Sequence, residues 1–228
     1  MTKLAAIYHF TDESKKRPKI YRDQLDALKN YARSIGFNVA DIYCDMSLKR
    51  CERIEFNKFL ENCDQYNALI TKDYYHISKN TLTAISIMQE LRDKGVKIYT
   101  IENGNFSLEN APLDKALKIA TYCCRFGSKS ELHEIISVQN DILTLFAQKK
   151  TEWTVVDQYF DESSQQNNGE QPELIKLLEN RDKYDLLLVH NLGDVHWRTA
   201  NFFKIRERLQ LDIYSLQEGF LQYRKEST

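Results

Sequence analysis

Little in this sequence loosens the backbone, and nothing in it announces a cofactor. Only seven glycines and three prolines occur in 228 residues, which leaves little material for flexible linkers. Neither G-x-G-x-x-G nor G-x-x-x-x-G-K-[S/T] is present, which excludes the common dinucleotide and P-loop sites. The five cysteines (Cys44, Cys51, Cys63, Cys123 and Cys124) form no C-x-x-C pair. They read as reduced thiols of a cytoplasmic protein, not as a disulfide framework or a zinc site. No cofactor and no metal are expected. No apolar run approaches the roughly 20 residues that cross a bilayer, and the opening Met1-Thr2-Lys3 lacks the pattern of a signal peptide.

A charge surplus is missing as well. The 32 Lys+Arg nearly cancel the 33 Asp+Glu, for a formal net charge of −1. DNA contact must therefore come from a local patch. One basic run exists, Lys15, Lys16, Arg17, Lys19 and Arg22. It reads either as a solvated loop and helix face or as a DNA-contact patch of weak, salt-sensitive affinity.

What the chain does contain is an internal repeat. Lys58-Phe59-Leu60-Glu61-Asn62-Cys63-Asp64-Gln65-Tyr66 recurs as Lys176-Leu177-Leu178-Glu179-Asn180-Arg181-Asp182-Lys183-Tyr184. Upstream, Val39–Asp45 answers to Val155–Asp161; downstream, Ile98–Gly104 answers to Ile213–Gly219. Each copy alternates short apolar runs with amphipathic stretches, the pattern of a parallel sheet flanked by helices. The first copy reads as strand Leu4–Tyr8, a helix opened by Pro18 and stopped by Gly36, and strand Val39–Cys44. Helix Arg53–Asn62, strand Ala68–Thr71, a helix capped by Asn80 and closed by Gly95, and strand Val96–Ile101 follow. The second runs from strand Ile119–Cys123 through helix Ser130–Gln148 to strand Leu211–Leu216. The expected domains are 1–110 and 111–228, an α/β fold of two tandem units.

The first copy resembles the catalytic domain of serine recombinases, the resolvase and invertase group. The likeness rests on the strand ending at Tyr8, the Gln24 helix, the strand ending at Asp45, Arg53 with Phe56 three residues on, and Leu69–Lys72 running into Ile77-Ser78-Lys79-Asn80. It covers about the first 105 residues, and the second copy more weakly. The family's chemistry, on this resemblance, is metal-free transesterification. A serine hydroxyl attacks a DNA phosphate while arginines, whose planar forks bind two oxygens at once, offset the growing charge.

Carried over residue by residue, the resemblance implies a degenerate site. The family opens Tyr-x-Arg-x-Ser; here Phe10 stands at the arginine and Asp12 at the nucleophile. After the third strand the family reads Asp-Arg-Leu-x-Arg; here Tyr75 and His76 replace the acid and the first arginine, and Lys79 keeps the last charge. Arg53 keeps its arginine, and Ser47 lies near the family's loop serine. In the second copy Tyr122-Cys123-Cys124-Arg125-Phe126 lacks the nucleophile and Gln171 stands where Arg53 did. There Asp194 aligns with Tyr75 and Arg198 with Lys79. The family's dimer helix and DNA-binding domain also find no counterpart after Gly104 or Gly219.

These substitutions point to a catalytically inactive, recombinase-derived protein that acts by binding a protein partner or DNA-processing machinery. An intramolecular pseudo-dimer or a homodimer fits the tandem arrangement. Arg53, Lys79 and Arg198 are the anion-binding candidates, and Asp45 or Glu52 is the competing ion-pair partner of Arg53. Two other classes stay open: an active recombinase or nicking enzyme with a displaced nucleophile at Ser14 or Ser128, and a module for a small anionic ligand or nucleotide. His190, Asp194 and His196 read as loop residues, not as a metal site.

Overall fold

The computed structural model describes residues 3–12, 18–47, 53–103, 116–126, 129–150, 152–163 and 171–223. It divides into two compact units, Met1–Phe106 and Ser107–Thr228. In the first, Ala5, Ala6, Ile7 and Tyr8 are all fully buried. A strand apolar on both faces belongs in the middle of a covered parallel sheet, and β1 (Leu4–Asp12) takes that place. β2 (Asn38–Ser47), β3 (Ala68–Thr71) and β4 (Lys97–Thr100) complete a parallel sheet in the order β2-β1-β3-β4.

Helix α1 (Pro18–Ser34) packs Leu28 and Ala32 against Ala5, Ile7, Ala68 and Ile70. Gly36, at φ +83°, turns the chain out of it, a conformation that favours glycine. Because side chains alternate along a strand, Tyr8 points the other way and meets Phe56 of α2 (Ile54–Glu61) at 4.6 Å between ring centroids. A short helix α3 (Tyr74–Ile77) follows β3, and α4 (Thr81–Asp93) starts from Asn80, whose side chain accepts from Thr83 N at 3.0 Å.

The second unit has the strands β5 (Leu117–Phe126), β6 (Trp153–Ser163), β7 (Leu186–Val189) and β8 (Asp212–Ser215), parallel in the order β6-β5-β7-β8. Helices α5 (Lys129–Gln148), α6 (Pro172–Glu179) and α7 (Thr199–Leu209) connect them. The register slips at one place in each sheet. Val39 pairs with Ala5 and Asp41 with Ala6, skipping Ala40; Val155 pairs with Ile119 and Asp157 with Ala120, skipping Val156. Such a bulge re-aims the residues beyond it. Here it turns the next carboxylate toward a tyrosine: Tyr66 donates to Asp41 at 2.8 Å, and Tyr184 donates to Asp157.

Two expectations need correction. The strand read at Leu211–Leu216 is not the last element: Gly219–Leu221 forms a short strand, β9, antiparallel to β8. Its backbone pairs with β8, Ile213 opposite Leu221, Tyr214 opposite Phe220 and Ser215 opposite Gly219, and so covers the open edge of β8, a pairing that three residues cannot announce by periodicity. The central strands are also longer than their apolar cores, because β1 and β5 run on past the helix layer into the loop edge. Among the described residues no helix is long and apolar enough to cross a membrane.

Candidate functional site

All four strands of the first unit end at one edge, so the segments after them converge there. β1 delivers Phe10, the start of α2 delivers Arg53, and the turn after β3 delivers Tyr75, His76 and Lys79. The carboxylate of Asp45, buried at the end of β2, accepts from Tyr8 Oη at 3.1 Å, Glu55 N at 2.9 Å and Phe56 N at 3.0 Å. It thus satisfies the first amide donors of α2 and sits at the positive end of that helix. Asp45 is not the ion-pair partner of Arg53, as one reading expected: among the described residues its carboxylate meets these three donors, and the Arg53 guanidinium turns to the Ile77 carbonyl instead. Glu52 lies outside the described residues.

Arg53 donates from its guanidinium to the carbonyl of Ile77, tying α2 to the turn after β3. The same guanidinium carbon stands 5.7 Å from the ring centroids of both Phe10 and Phe56. The ammonium of Lys79 stands 5.9 Å from Phe10 and 5.9 Å from Tyr75. Both cations therefore converge on one aromatic ring, a geometry worth on the order of 0.5–1 kcal/mol each at half-exposed sites. Lys79 is exposed and Arg53 half-buried. Among the described residues neither is in an ion pair.

Beneath this surface lies a histidine that periodicity alone hides. His9 is 1% exposed, stacks on His76 at 5.8 Å and meets the tilted Tyr21 ring at 5.4 Å, and neither ring nitrogen has a hydrogen-bond partner among the described residues. Burial, with lesser contributions from the charges of His76 and Lys72, pushes its pKa down to about 4, so it is neutral at physiological pH. His76 is held by Asp73, Nδ1 to Oδ1 at 2.7 Å. Burial raises the Asp73 carboxyl, but the hydrogen bonds and charge of His76 outweigh it and leave its pKa below the usual range.

The corresponding edge of the second unit repeats the scaffold and loses the charge. Asp161 accepts from Tyr122 Oη at 2.9 Å, Glu173 N at 3.0 Å and Leu174 N at 2.9 Å. Gln171, at Arg53's place before the helix, is buried and donates to Tyr122 Oη at 2.8 Å and to the Val195 carbonyl at 3.1 Å. Cys124, at Phe10's place, is buried. Its thiol is pushed up to about 11, first by burial, so it stays protonated and unreactive at neutral pH.

The cap positions correct the alignment after the third strand by one residue. Asp73 accepts from His76 N, and Asn191 accepts from Asp194 N in the same way. Asn80 precedes α4 as Arg198 precedes α7. Asp194 is thus the counterpart of His76, not Tyr75, and Arg198 that of Asn80, not Lys79. Trp197 stands in Lys79's place, 45% exposed, with the Arg198 guanidinium 4.6 Å from its ring. His196 Nδ1 accepts from Arg198 N at 2.9 Å, and Asp194 closes a capping box with Asn191.

Several sequence candidates fall outside this picture. Ser14, Ser128, Lys15, Lys16 and Arg17 lie outside the described residues. Asp12 ends β1, Ser47 ends β2 and Lys19 lies in the first turn of α1, but their side chains are not described; Arg22 is exposed on α1. His9 is not among the sequence candidates; Gln171 is named there only as the residue standing in Arg53's place, and its buried hydrogen bonds are what the structure adds.

Residues 12–118, just under half of the chain, match the family model of the resolvase N-terminal domain. The first unit from α1 onward is therefore resolvase-like. No curated protein matches the sequence. Among solved structures, the N-terminal catalytic domain of TP901-1 integrase is 16% identical, with 45% of this chain and 79% of that one covered and a TM-score of 0.39. A resolvase family site-specific recombinase from Streptococcus pneumoniae is 17% identical, with 66% and 93% covered and a TM-score of 0.41. An ABC transporter solute binding protein from Mycobacterium smegmatis is 12% identical, with 94% and 75% covered and a TM-score of 0.29. All three likenesses are distant.

Proposed function

We propose that the chain is a recombinase-derived protein made of two degenerate resolvase-type copies, that it does not cut DNA, and that it works by binding. Its recognition site is the loop edge of the first unit, where Arg53 and Lys79 hold an anionic group of a partner protein or of a DNA-processing complex. The observation that carries this reading is the Phe10 ring with both cations over it. A phosphoryl transfer needs a nucleophile and several preorganised positive donors aimed at the growing charge. This edge offers a phenyl ring where the resemblance calls for an arginine, and its remaining arginine already donates to a backbone carbonyl. Two cations without a nucleophile still attract an anion. The second unit, with Gln171 and Cys124 buried in the matching places, contributes architecture.

Incubation with supercoiled plasmid, with and without magnesium, is expected to yield no nicked circles and no covalent adduct. An adduct that disappears in Ser14→Ala or Ser128→Ala would establish the displaced-nucleophile enzyme instead. For the binding half, Lys79→Glu combined with Arg53→Gln is the informative variant. Glutamine at 171 reaches the equivalent carbonyl in the second unit, so the tie to Ile77 has a neutral substitute. Binding of inorganic phosphate and of plasmid DNA is expected to fall about tenfold with the melting temperature nearly unchanged. Unchanged binding would move the working surface elsewhere.

A further inference from the structure

The second unit carries a cleft at the opposite end of its sheet from the loop edge. It lies between the last turns of α5 and the first half of β6, and its volume of about 620 Å³ is that of a small-molecule site. A chain of hydrogen bonds, all running in one direction, leads to it. Thr121 Oγ1 donates to Asn140 Oδ1 at 3.5 Å, Asn140 Nδ2 to Gln158 Oε1 at 3.3 Å, and Gln158 Nε2 to Thr144 Oγ1 at 3.0 Å. There the chain ends, because the Thr144 hydroxyl has no acceptor among the described residues. The exposed Gln148 side chain makes no hydrogen bond among them either. Trp153, which also lines the cleft, is 7% exposed, and its indole N–H lacks an acceptor among the described residues.

The first unit shows what the scaffold itself requires at these places. Leu28 and Ala32 fill its core as Leu143 and Ala147 fill the second, and the strand register slips after Ala5 as it does after Ile119. Counted from those anchors, Ile7, Leu25, Phe37 and Ile42 stand where the second unit has Thr121, Asn140, Trp153 and Gln158. Lys29 and Arg33 stand where it has Thr144 and Gln148. Phe37 meets Tyr99 at 5.3 Å as Trp153 meets Tyr214 at 5.9 Å, so the ring is kept and an N–H is added. Apolar residues and cations have all become neutral hydrogen-bonding ones. One copy folds without these groups, so packing does not account for them.

The chemistry of the lining selects the ligand. Among the described residues no cation lines the cleft, so an anion finds no counter-charge. Its one carboxylate, Asp157, accepts from the Tyr184 phenol. Hydroxyls and carboxamides both donate and accept, which suits a molecule whose own groups do both. Ala147 and Val155 add an apolar wall for its carbon skeleton. We propose that this cleft binds a neutral, hydroxyl-rich small molecule, a sugar or polyol, with Gln158 and Thr144 as its central hydrogen-bonding pair. The bond from Asn140 holds the Gln158 carboxamide in one orientation before the ligand arrives, which lowers the entropy lost on binding. The site is independent of the Arg53 and Lys79 edge.

Trp153 and Trp197 are the two tryptophans of the chain, so in full-length Trp197→Phe the indole emission reports on the cleft alone. Titration of that variant with glucose, sucrose and sorbitol is expected to give a saturable change with at least one of them. Inorganic phosphate and a neutral, end-blocked tripeptide are expected to give none. Asn140→Leu with Gln158→Ile installs the first unit's residues and is expected to weaken binding about tenfold or more at an unchanged melting temperature. Gln148→Arg, at an exposed position, is expected to weaken it as well. No saturable response to any of the three up to about 10 mM overturns the proposal. A response to phosphate or to the tripeptide in their place overturns it too, by making the cleft an anion or a peptide site. Sugar or polyol binding that survives both variants overturns it by placing the ligand elsewhere.

Discussion

Tyr122 donates its phenol to Asp161 at 2.9 Å, joining the end of the central strand to its neighbour. Asp161 in turn accepts the backbone amides of Glu173 and Leu174. One buried carboxylate thereby fixes two strands and the start of a helix, and Tyr8 with Asp45 does the same in the first unit. Burial raises the Asp161 carboxyl above its usual pKa even though all three donors favour the charged form.

Removing this carboxylate is expected to be costly in both units. Asp161→Ala leaves two helix amides and a phenol without an acceptor in a buried setting, a loss of about 3 kcal/mol. Tyr122→Phe removes one donor to Asp161 and one acceptor of Gln171, which keeps the Val195 carbonyl, and is expected to cost about 1–2 kcal/mol. Urea denaturation of the two variants measures both values; equal losses would show that Tyr122, not the helix amides, is what Asp161 holds.

The buried His9 predicts a pH dependence with a definite sign. Its pKa falls from 6.5 to about 4 on folding, so the unfolded chain binds the proton more readily. His9 therefore lends stability that is complete above pH 6.5 and is lost as the pH falls toward 4, by about 1.4 kcal/mol per unit at the steepest. The lowered Asp73 carboxyl contributes stability that is present above 3.8 and lost below it. His9→Phe is expected to flatten the limb between pH 6.5 and 4 and to leave the more acidic one. Denaturation midpoints measured at half-unit steps of pH decide this, and an unaltered limb would assign it to another group.

A third expectation concerns one strained residue. Gln210 ends α7 at φ +54°, the left-handed region, whereas the corresponding end of α4 is made by Gly95 at φ +78°. Gln210→Gly removes a side chain that resists this conformation and is expected to stabilise the protein by about 0.5–1 kcal/mol. A higher urea midpoint at unchanged slope is the readout; a lower one would mean that the Gln210 side chain makes a compensating contact.

The order of strands and helices was legible in the sequence because each signal is local. Pro18, Gly36, Asn80 and Gly95 punctuate helices through their own backbone preferences, and the buried runs Ala68–Thr71 and Leu186–Val189 mark central strands by composition alone. The internal repeat likewise needed nothing beyond the order of residues. What only the tertiary structure decided depends on what lies across a strand or over a ring. Identity of residue type set Arg198 against Lys79, yet the caps at Asp73 and Asn191 shift that match by one, since a backbone amide selects its acceptor by geometry. Arg53 and Lys79 were identified as charges, but their convergence on Phe10 follows from three segments far apart in sequence that end at one edge of a parallel sheet. His9 sits one residue along the strand from Phe10 and points the opposite way. Only the helix packed on its side of the sheet decides that this histidine is buried and neutral, because the strand's alternation fixes its direction but not its surroundings.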